Sequence, residues 1–249
     1  MEPARVIEVK NISKSFGSES VLTDVSFSLE ENHTLSVLGK SGSGKTTLLK
    51  IIAGLVENYS GTILVNGSPI DHLKPKERGV VYLYQEPLLF PHLTVEENIA
   101  FGLSIRNESA DIIQKKTSGM VEQLQLGGQE GKYPHQLSGG QKQRVAFGRA
   151  FIIHPTILLL DEPFASLDPG IRSEMQQLFR SIATEQKITT LFVTHDLKEA
   201  LITGDRFGMM QNGELNLFSD REAFINDAGT GVQDELKFWT ELIHHHGQR

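Results

Sequence analysis

Residues 39 to 46 read Gly-Lys-Ser-Gly-Ser-Gly-Lys-Thr. This stretch fits G-x-x-x-x-G-K-[ST], the pattern of a loop that wraps phosphate groups. Glycines let backbone N–H groups approach phosphate oxygens, Lys45 can reach the terminal phosphates, and the Thr46 hydroxyl can ligate Mg²⁺. The predicted phosphate-binding residues are the loop and the threonine after it: Gly39, Lys40, Ser41, Gly42, Ser43, Gly44, Lys45, Thr46 and Thr47.

The segments on both sides of the loop support this interpretation. The apolar residues Leu35, Val37 and Leu38 before it predict a buried strand, and residues 47–53 after it predict a helix that ends at Gly54. The phosphates would then lie at a helix N-terminus, where the helix dipole favours negative charge. The alternative is a chance match in a Gly/Ser loop, which the strand and the helix make the weaker explanation.

A second candidate anion site follows at residues 137–141, which read Leu-Ser-Gly-Gly-Gln. Ser138 and Gln141 form a capping-box pattern, and residues 143–151 continue it as an amphipathic helix. The bare backbones of Gly139 and Gly140 can approach a phosphate closely. Alone, the pattern fits an ordinary serine-capped helix. Its place after a phosphate loop and before a carboxylate-bearing strand favours phosphate contact.

The third motif is an apolar strand that ends in two acids, Ile157 to Glu162. Asp161 suits the Mg²⁺ role, usually through a water molecule, because Mg²⁺ keeps much of its hydration. Glu162 is predicted to polarise an attacking water, a contribution typically worth about 10² to 10⁴ in rate. The alternative, an acid pair that merely caps a strand, is disfavoured behind a phosphate loop.

In this order and spacing the motifs resemble the Walker A, signature and Walker B motifs of ABC transporter nucleotide-binding subunits. The resemblance covers nearly the whole chain. It implies an α/β fold, a P-loop NTPase (RecA-like) core with a parallel sheet, an N-terminal antiparallel β-subdomain and an inserted α-helical subdomain. It also implies a head-to-tail dimer, in which each ATP lies between one subunit's Walker A loop and the other's signature helix.

The resemblance assigns roles to four further residues. Gln85 matches the Q-loop glutamine, which senses Mg²⁺ or the nucleophilic water, and His195 matches the switch histidine, which contacts the γ-phosphate. Asp168 belongs to the D-loop, Ser166–Asp168, and Phe16 matches the aromatic that stacks on adenine. Without the resemblance, His195 is only a histidine at a strand end and Phe16 could belong to the core. The predicted catalytic residues are Glu162, His195 and Gln85, and the predicted Mg²⁺ residues are Thr46, Gln85 and Asp161.

The expected cofactors are ATP and Mg²⁺. The expected partners are transmembrane permease subunits, a second copy of this ATP-binding subunit and, indirectly, an extracytoplasmic solute-binding protein, at the cytoplasmic face of the membrane. Residues 88–103 resemble prokaryotic importer subunits that serve iron(III), sulfate, polyamine or sugar systems. The cargo cannot be named, because in this architecture it does not touch the ATPase. Many relatives carry an additional C-terminal regulatory β-domain, for which this chain is expected to be too short.

Composition excludes several other classes. The chain has 249 residues, no cysteine and a formal net charge of −7, so we expect neither a disulfide framework nor adhesion to nucleic acid or anionic lipid. The first residues lack the apolar core of a signal peptide. No run of about 18 apolar residues occurs, so membrane attachment is expected through a protein partner.

We expect a single ABC ATPase domain over residues 1–249. Its parts are a β-rich portion with the phosphate loop (about 1–85), a helical subdomain (86–152), the rest of the core (153–226) and a C-terminal helical tail (227–249). The tail is predicted to hold a helix around 236–243 and a solvated histidine run, His244–His246, rather than a metal site.

Residues 85–93, here called the Q-segment, are apolar and contain two prolines. The segment is predicted to act as a hinge and, by the resemblance, to line the groove for a coupling helix of a transmembrane subunit. Some of its side chains pack inward, and Leu89 is expected to be exposed.

Two other functions remain open. A non-transport ABC ATPase acting on DNA or ribosomes usually has tandem cassettes or long coiled-coil arms, and neither is present in the sequence. A P-loop kinase would need a lid for its acceptor substrate and would leave Ser138–Gln141 and His195 without a role.

Overall fold

The computed structural model describes residues 5–235, 237 and 238. Its strands are β1 (Arg5–Phe16), β2 (Glu19–Glu30), β3 (Thr34–Leu38), β4 (Ser60–Val65), β5 (Ser68–Pro69), β6 (Val80–Leu83), β7 (Ile157–Asp161), β8 (Thr189–Thr194), β9 (Arg206–Gln211) and β10 (Glu214–Phe218). Its α-helices are α1 (Lys45–Ile52), α2 (Val95–Ile105), α3 (Ala110–Gln123), α4 (Gly139–Phe151), α5 (Pro169–Glu185), α6 (Leu197–Thr203) and α7 (Arg221–Asn226).

The strands form two sheets. An antiparallel sheet has the order β2-β1-β4-β5, and a six-stranded sheet has the order β10-β9-β3-β8-β7-β6. In the second sheet β9, β3, β8, β7 and β6 run parallel, and β10 joins antiparallel to β9. Both predicted sheets, the parallel core and the N-terminal antiparallel unit, are therefore confirmed.

The parallel strands bring the predicted motifs to one edge. Every residue of β3, β7 and β8 is buried, which explains their nearly continuous apolar sequences. Parallel strands end at the same edge of a sheet, so the segments that follow β3, β6, β7 and β8 converge there. These segments are the phosphate loop, the Q-segment, Glu162 and His195.

The helical insertion packs on its own apolar core. Helix α4 contributes the stacked pair Phe147 and Phe151, whose ring centroids are 5.5 Å apart. At Gly148 a Cβ would lie only 2.6 Å from Leu124 Cδ1 and 3.1 Å from Ile99 Cγ1. A larger residue would push α4 away from α2 and the end of α3, so the helix packing requires this glycine.

The β-rich first third contributes strands to both sheets, because β3 and β6 join the parallel sheet while its other strands form the antiparallel one. Strands β9 and β10 were not predicted. The predicted tail helix falls mostly outside the described residues, and His244–His246 lies entirely outside them. No helix in the described part of the chain combines the length and apolar character needed to cross a membrane.

Candidate functional site

The phosphate loop is shaped by two glycines that tolerate no side chain. At Gly39 a Cβ would lie 2.6 Å from the Met210 carbonyl oxygen and 2.8 Å from Ser43 Oγ. Gly44, directly before α1, has a φ of 105°, a left-handed conformation that strains other residues. The loop can therefore hold its backbone N–H groups close to a ligand at the N-terminus of α1.

Lys45 is buried in the mouth of this loop, with 4% of its surface exposed. Its Nζ donates to the carbonyl oxygens of Gly39 (2.7 Å) and Lys40 (3.1 Å), and it lies 3.4 Å from Glu162 Oε1. A buried ammonium needs such partners. The lysine is thus placed to exchange loop carbonyls for the oxygens of a bound anion.

The residues of the loop fit a phosphate. Ser43 Oγ is buried and has no hydrogen-bond partner within the part of the chain that the structure describes. A buried hydroxyl without a partner is costly, and an oxygen of a bound phosphate would satisfy it. An open cavity of about 650 Å³ adjoins the loop and is lined by Gly39, Lys40, Ser41 and His195, among others.

Asp161 stands between two hydroxyl donors. Thr46 Oγ1 donates to its Oδ1 (2.9 Å), and the Tyr82 hydroxyl donates to its Oδ2 (2.6 Å). Burial raises the pKa of Tyr82 well above its usual value, and the hydrogen bond to Asp161 raises it further. The phenol therefore stays a neutral donor. Tyr82 was not predicted as a site residue, although a tyrosine in an otherwise aliphatic strand is a signal that could have indicated it.

Thr46 and Asp161 fit a Mg²⁺ site. Mg²⁺ is usually bound by one or two carboxylates and keeps several waters beside substrate phosphates. The protein therefore needs to supply few ligands, and here Thr46 Oγ1 and Asp161 Oδ1 lie 2.9 Å apart. Residues 5–235, 237 and 238 contain no group of three or more His, Cys, Asp or Glu side chains that could hold a metal ion. A site of this kind would therefore depend on the nucleotide for its remaining ligands.

Glu162 and His195 are in direct contact at the edge of the phosphate loop. His195 Nδ1 lies 2.6 Å from Glu162 Oε2, while the other carboxylate oxygen faces Lys45. Glu162 has a φ of 47°, an uncommon conformation for a non-glycine residue, and its N–H donates to the Val193 carbonyl oxygen (3.0 Å). Backbone strain of this kind clusters at functional sites. The predicted base and the predicted switch residue are thus in contact.

Other predicted residues lie apart from this cluster; of the signature residues, Ser138 and Gly139 are exposed, whereas Gly140 is buried. Ser138 Oγ accepts from Gln141 N (3.3 Å) and Gln141 Oε1 accepts from Ser138 N (3.0 Å), which confirms the capping box. Within the described chain, no hydrogen bond or ion pair joins Ser138, Gly139, Gly140 or Gln141 to the phosphate loop. Asp168 precedes α5, but its side chain accepts no capping hydrogen bond.

Phe16 presents one face of its ring to solvent. The side chain is 51% exposed, and Lys14 Nζ lies 4.7 Å from the ring centroid. Lys14 itself is anchored to the carbonyl oxygens of Glu57 and Asn58. Lys14 thus holds the ring from one side, and the other face is free to stack on a ligand.

The Q-segment corrects one prediction. Leu89 packs against the core of the helical insertion, whereas Leu88 is 54% exposed. Arg149 of α4 explains the arrangement, because its Nη2 donates to the Leu88 carbonyl oxygen (2.7 Å) and its guanidinium lies 5.1 Å from the Phe90 ring centroid. Gln85, after the end of β6, is exposed.

Comparisons with known proteins agree with this site. A family model described as ABC transporter matches residues 22–165. The chain is 46% identical over 213 residues to the sulfate/thiosulfate import ATP-binding protein CysA of Escherichia coli, covering 84% of this chain and 58% of that protein. It is 40% identical over 235 residues to the protein of the same name from Bacillus cereus, covering 92% and 66%.

A third relative of that name, from Photorhabdus laumondii, is 43% identical over 247 residues, covering 97% of this chain and 67% of the relative. The chain thus spans about three fifths to two thirds of the length of these relatives. The family model covers more than half of the 249 residues. The chain belongs to the ABC transporter family.

Proposed function

We propose that this chain binds and hydrolyses ATP and thereby powers a membrane importer. The observation that carries the proposal is the array Lys45, Glu162 and His195, joined by contacts of 3.4 and 2.6 Å beside a glycine-shaped phosphate loop. Lys45 offers a buried cation for a phosphate group, Glu162 offers a carboxylate for a water molecule, and His195 contacts that carboxylate. This set of groups suits phosphoryl transfer to water.

ATP and Mg²⁺ are the proposed ligands. The loop residues Gly39 to Thr47 would hold the phosphates, and Phe16 would stack on adenine, a contact worth about 1–3 kcal/mol. Thr46 and Asp161 would hold Mg²⁺, with Gln85 beside them at the end of β6. When bound, the ion neutralises the charge that develops on the phosphates.

Hydrolysis is proposed to divide among the chain's own groups. Glu162 would accept a proton from the attacking water, and Lys45 would keep that carboxylate and the terminal phosphate in fixed positions. His195 would contact the γ-phosphate through the ring nitrogen that does not face Glu162. The 2.6 Å contact supports this by fixing the orientation of the imidazole.

The active unit is proposed to be a head-to-tail dimer of two copies. The signature residues Ser138 and Gly139 and the D-loop residue Asp168 are exposed and lie outside the Lys45 cluster. A second copy would bring its own signature helix N-terminus to the ATP of the first, since such termini bind anions.

The remaining partners are proposed to be transmembrane permease subunits and, indirectly, an extracytoplasmic solute-binding protein. The chain would sit at the cytoplasmic face of the membrane. The names of the relatives support import, and they make sulfate or thiosulfate the first cargo to test. The alternative of a DNA- or ribosome-directed ATPase gains no support, because the longest helix of the described chain has 17 residues, too short for a coiled-coil arm.

The proposed function is tested in vesicles that contain the chain together with its permease subunits and solute-binding protein. We expect uptake of labelled sulfate or thiosulfate that needs both ATP on the side of this chain and Mg²⁺, and that stops when EDTA removes the metal. ATP hydrolysis that is stimulated by DNA or ribosomes, and is not accompanied by transport, would support the alternative.

The Q-segment supplies a separate test of coupling. We expect Leu88→Glu to leave folding and ATP binding intact but to abolish co-purification with the permease, because the new charge would be buried unpaired at the interface at a cost of several kcal/mol. The control Leu217→Glu changes a similarly exposed leucine on β10 (47% exposed).

Leu89→Glu should instead lower the melting temperature, since Leu89 packs on the core. If Leu88→Glu still co-purifies and couples normally, the segment has no such role at Leu88.

A further inference from the structure

Arg172 fixes the D-loop to the start of α5. It lies one helical turn after Asp168, and its own N–H donates to the Asp168 carbonyl oxygen (2.8 Å). Its Nη2 donates to the carbonyl oxygen of Leu167 (3.0 Å), the buried residue of the D-loop, between the exposed Ser166 and Asp168. The Arg172 side chain thus adds a bond to the backbone of this loop, which is also held by the bond from Leu167 N to the Phe164 carbonyl oxygen (3.1 Å).

The other nitrogens of the same guanidinium face the segment that carries His195. Nη1 lies 3.4 Å from Asp196 Oδ2, and Nε lies 3.8 Å from Glu199 Oε1. These acids stand one and four residues after His195 in the sequence. The guanidinium therefore lies between the D-loop and the switch-histidine segment, residues 194–199.

Hydrogen bonds link the residues of that segment to one another. The Thr194 hydroxyl donates to Glu199 Oε2 (2.6 Å) and accepts from Asp196 N (3.0 Å). Asp196 Oδ1 accepts from Glu199 N (3.1 Å), which caps α6. Glu199 is 2% exposed, whereas the side chain of His195 projects with 51% of its surface accessible. A displacement of Asp196 or Glu199 is therefore passed on to His195.

The link to Glu199 is incomplete as it stands. Arg172 Nε and Glu199 Oε1 are both buried, and neither has a hydrogen-bond partner within the described residues. Their separation of 3.8 Å exceeds hydrogen-bonding distance by less than about 1 Å. Leaving buried, oppositely charged groups unpaired is unfavourable. A small approach of the D-loop side toward the switch segment would complete this bond.

We propose that Arg172 is a positioning residue that couples the D-loop to His195. The inference rests on the proposed function, in which a second copy contacts the D-loop and His195 acts at the γ-phosphate. The planar guanidinium holds several acceptors in a fixed relative geometry. Movement of the Leu167 carbonyl in the dimer then shifts Asp196, and with it the contact between His195 and Glu162.

The test compares Arg172→Met with Arg180→Met. Arg180 lies two turns further along α5 and makes bonds of the same kind, with Nη1 donating to the Thr203 carbonyl oxygen (2.9 Å) and to Asp205 Oδ1 (2.9 Å). We expect Arg172→Met to lower kcat by about 10²-fold while KM for ATP changes little, because misplacing a catalytic group by about 1 Å can have that effect. Arg180→Met should leave kcat near wild type. Arg172→Lys, which keeps the charge but lacks the planar fork, should restore kcat only in part.

A second measurement is independent of hydrolysis. The NMR signals of the His195 ring in the nucleotide-free chain should shift or broaden in Arg172→Met and stay unchanged in Arg180→Met. Unchanged His195 signals together with wild-type kcat in a folded Arg172→Met would overturn the inference. So would equal losses of kcat and melting temperature in both methionine variants, since that marks a purely structural role. If the wild-type chain itself did not hydrolyse ATP, the proposed function would fail, while the NMR comparison would still decide the contact.

Discussion

Replacement of Glu162 by glutamine is expected to reduce ATP hydrolysis by about 10² to 10⁴-fold, the range typical of general-base assistance. The amide keeps the size of the side chain and can still pair with His195, but it cannot take a proton from water. The Mg²⁺ residues Thr46 and Asp161 are unchanged. ATP should therefore bind without being consumed, and the variant should accumulate as an ATP-bound dimer.

Two measurements check this result. Phosphate release gives the loss of turnover, and light scattering with and without ATP should show the variant shifting from monomer to dimer while the wild type stays mostly monomeric. The control is Glu30→Gln, which makes the same chemical change at an acid that pairs with Arg206 (3.1 Å) away from the phosphate loop. A Glu162→Gln protein that hydrolyses ATP at nearly the wild-type rate would show that the base has been assigned to the wrong residue.

The 2.6 Å contact between His195 and Glu162 makes a second assignment possible. If the imidazole were the group that accepts the proton, His195→Ala would lose turnover while Glu162→Gln kept most of it. The proposed assignment predicts large losses in both variants. It also predicts a combined loss in the double variant well below the product of the two, because residues that act as a unit are not additive.

The local parts of the fold could be predicted because short-range chemistry determines them. The capping boxes at Thr94 and Ser138 each require a hydroxyl and, three residues later, a side chain that reaches back; both are formed, and the one at Ser138 is the one predicted above. The end of α1 near Gly54 follows from the left-handed conformation of that glycine (φ 76°). The buried strands β7 and β8 follow from the short apolar runs Ile157–Leu160 and Leu191–Val193.

Contacts between distant segments could not be predicted in the same way. Tyr82 reaches Asp161 only because β6 pairs with β7 in parallel register, and no local pattern specifies that neighbour. Leu88 and Leu89 are adjacent and equally apolar, so the local sequence does not distinguish them, and the bond to the Leu88 carbonyl oxygen comes from Arg149 of α4, distant in sequence. The roles of the site residues toward ATP stay predictions, since they concern a ligand and a second copy.

If each ATP site is formed by two subunits, variants of the phosphate loop and variants of the signature motif should have different effects on ATP binding to the monomer. Lys45→Ala should abolish ATP binding to the monomer, because the buried Nζ belongs to the same subunit's phosphate loop. Ser138→Arg should leave monomer binding nearly unchanged but abolish dimerisation and turnover, since Ser138 lies at the surface and would face the partner's ATP. Nucleotide affinity of the monomer, measured by titration calorimetry, distinguishes the two.

Each variant needs a control for its structural effect. Lys45→Met keeps the buried aliphatic stem, so it should also lose ATP binding if charge rather than packing is responsible. Ser138→Ala removes the helix cap without adding bulk, at a cost of about 0.5–2 kcal/mol, and so controls for the loss of the cap. Thr94→Arg makes the arginine change at a cap of the same type on α2 and so controls for the effect of the arginine on a helix start. Ser138→Ala should therefore retain more dimer than Ser138→Arg, and Thr94→Arg should dimerise normally. Equal losses of monomer affinity in Lys45→Ala and Ser138→Arg would rule out the head-to-tail arrangement, because both residues would then contact the same subunit's ATP.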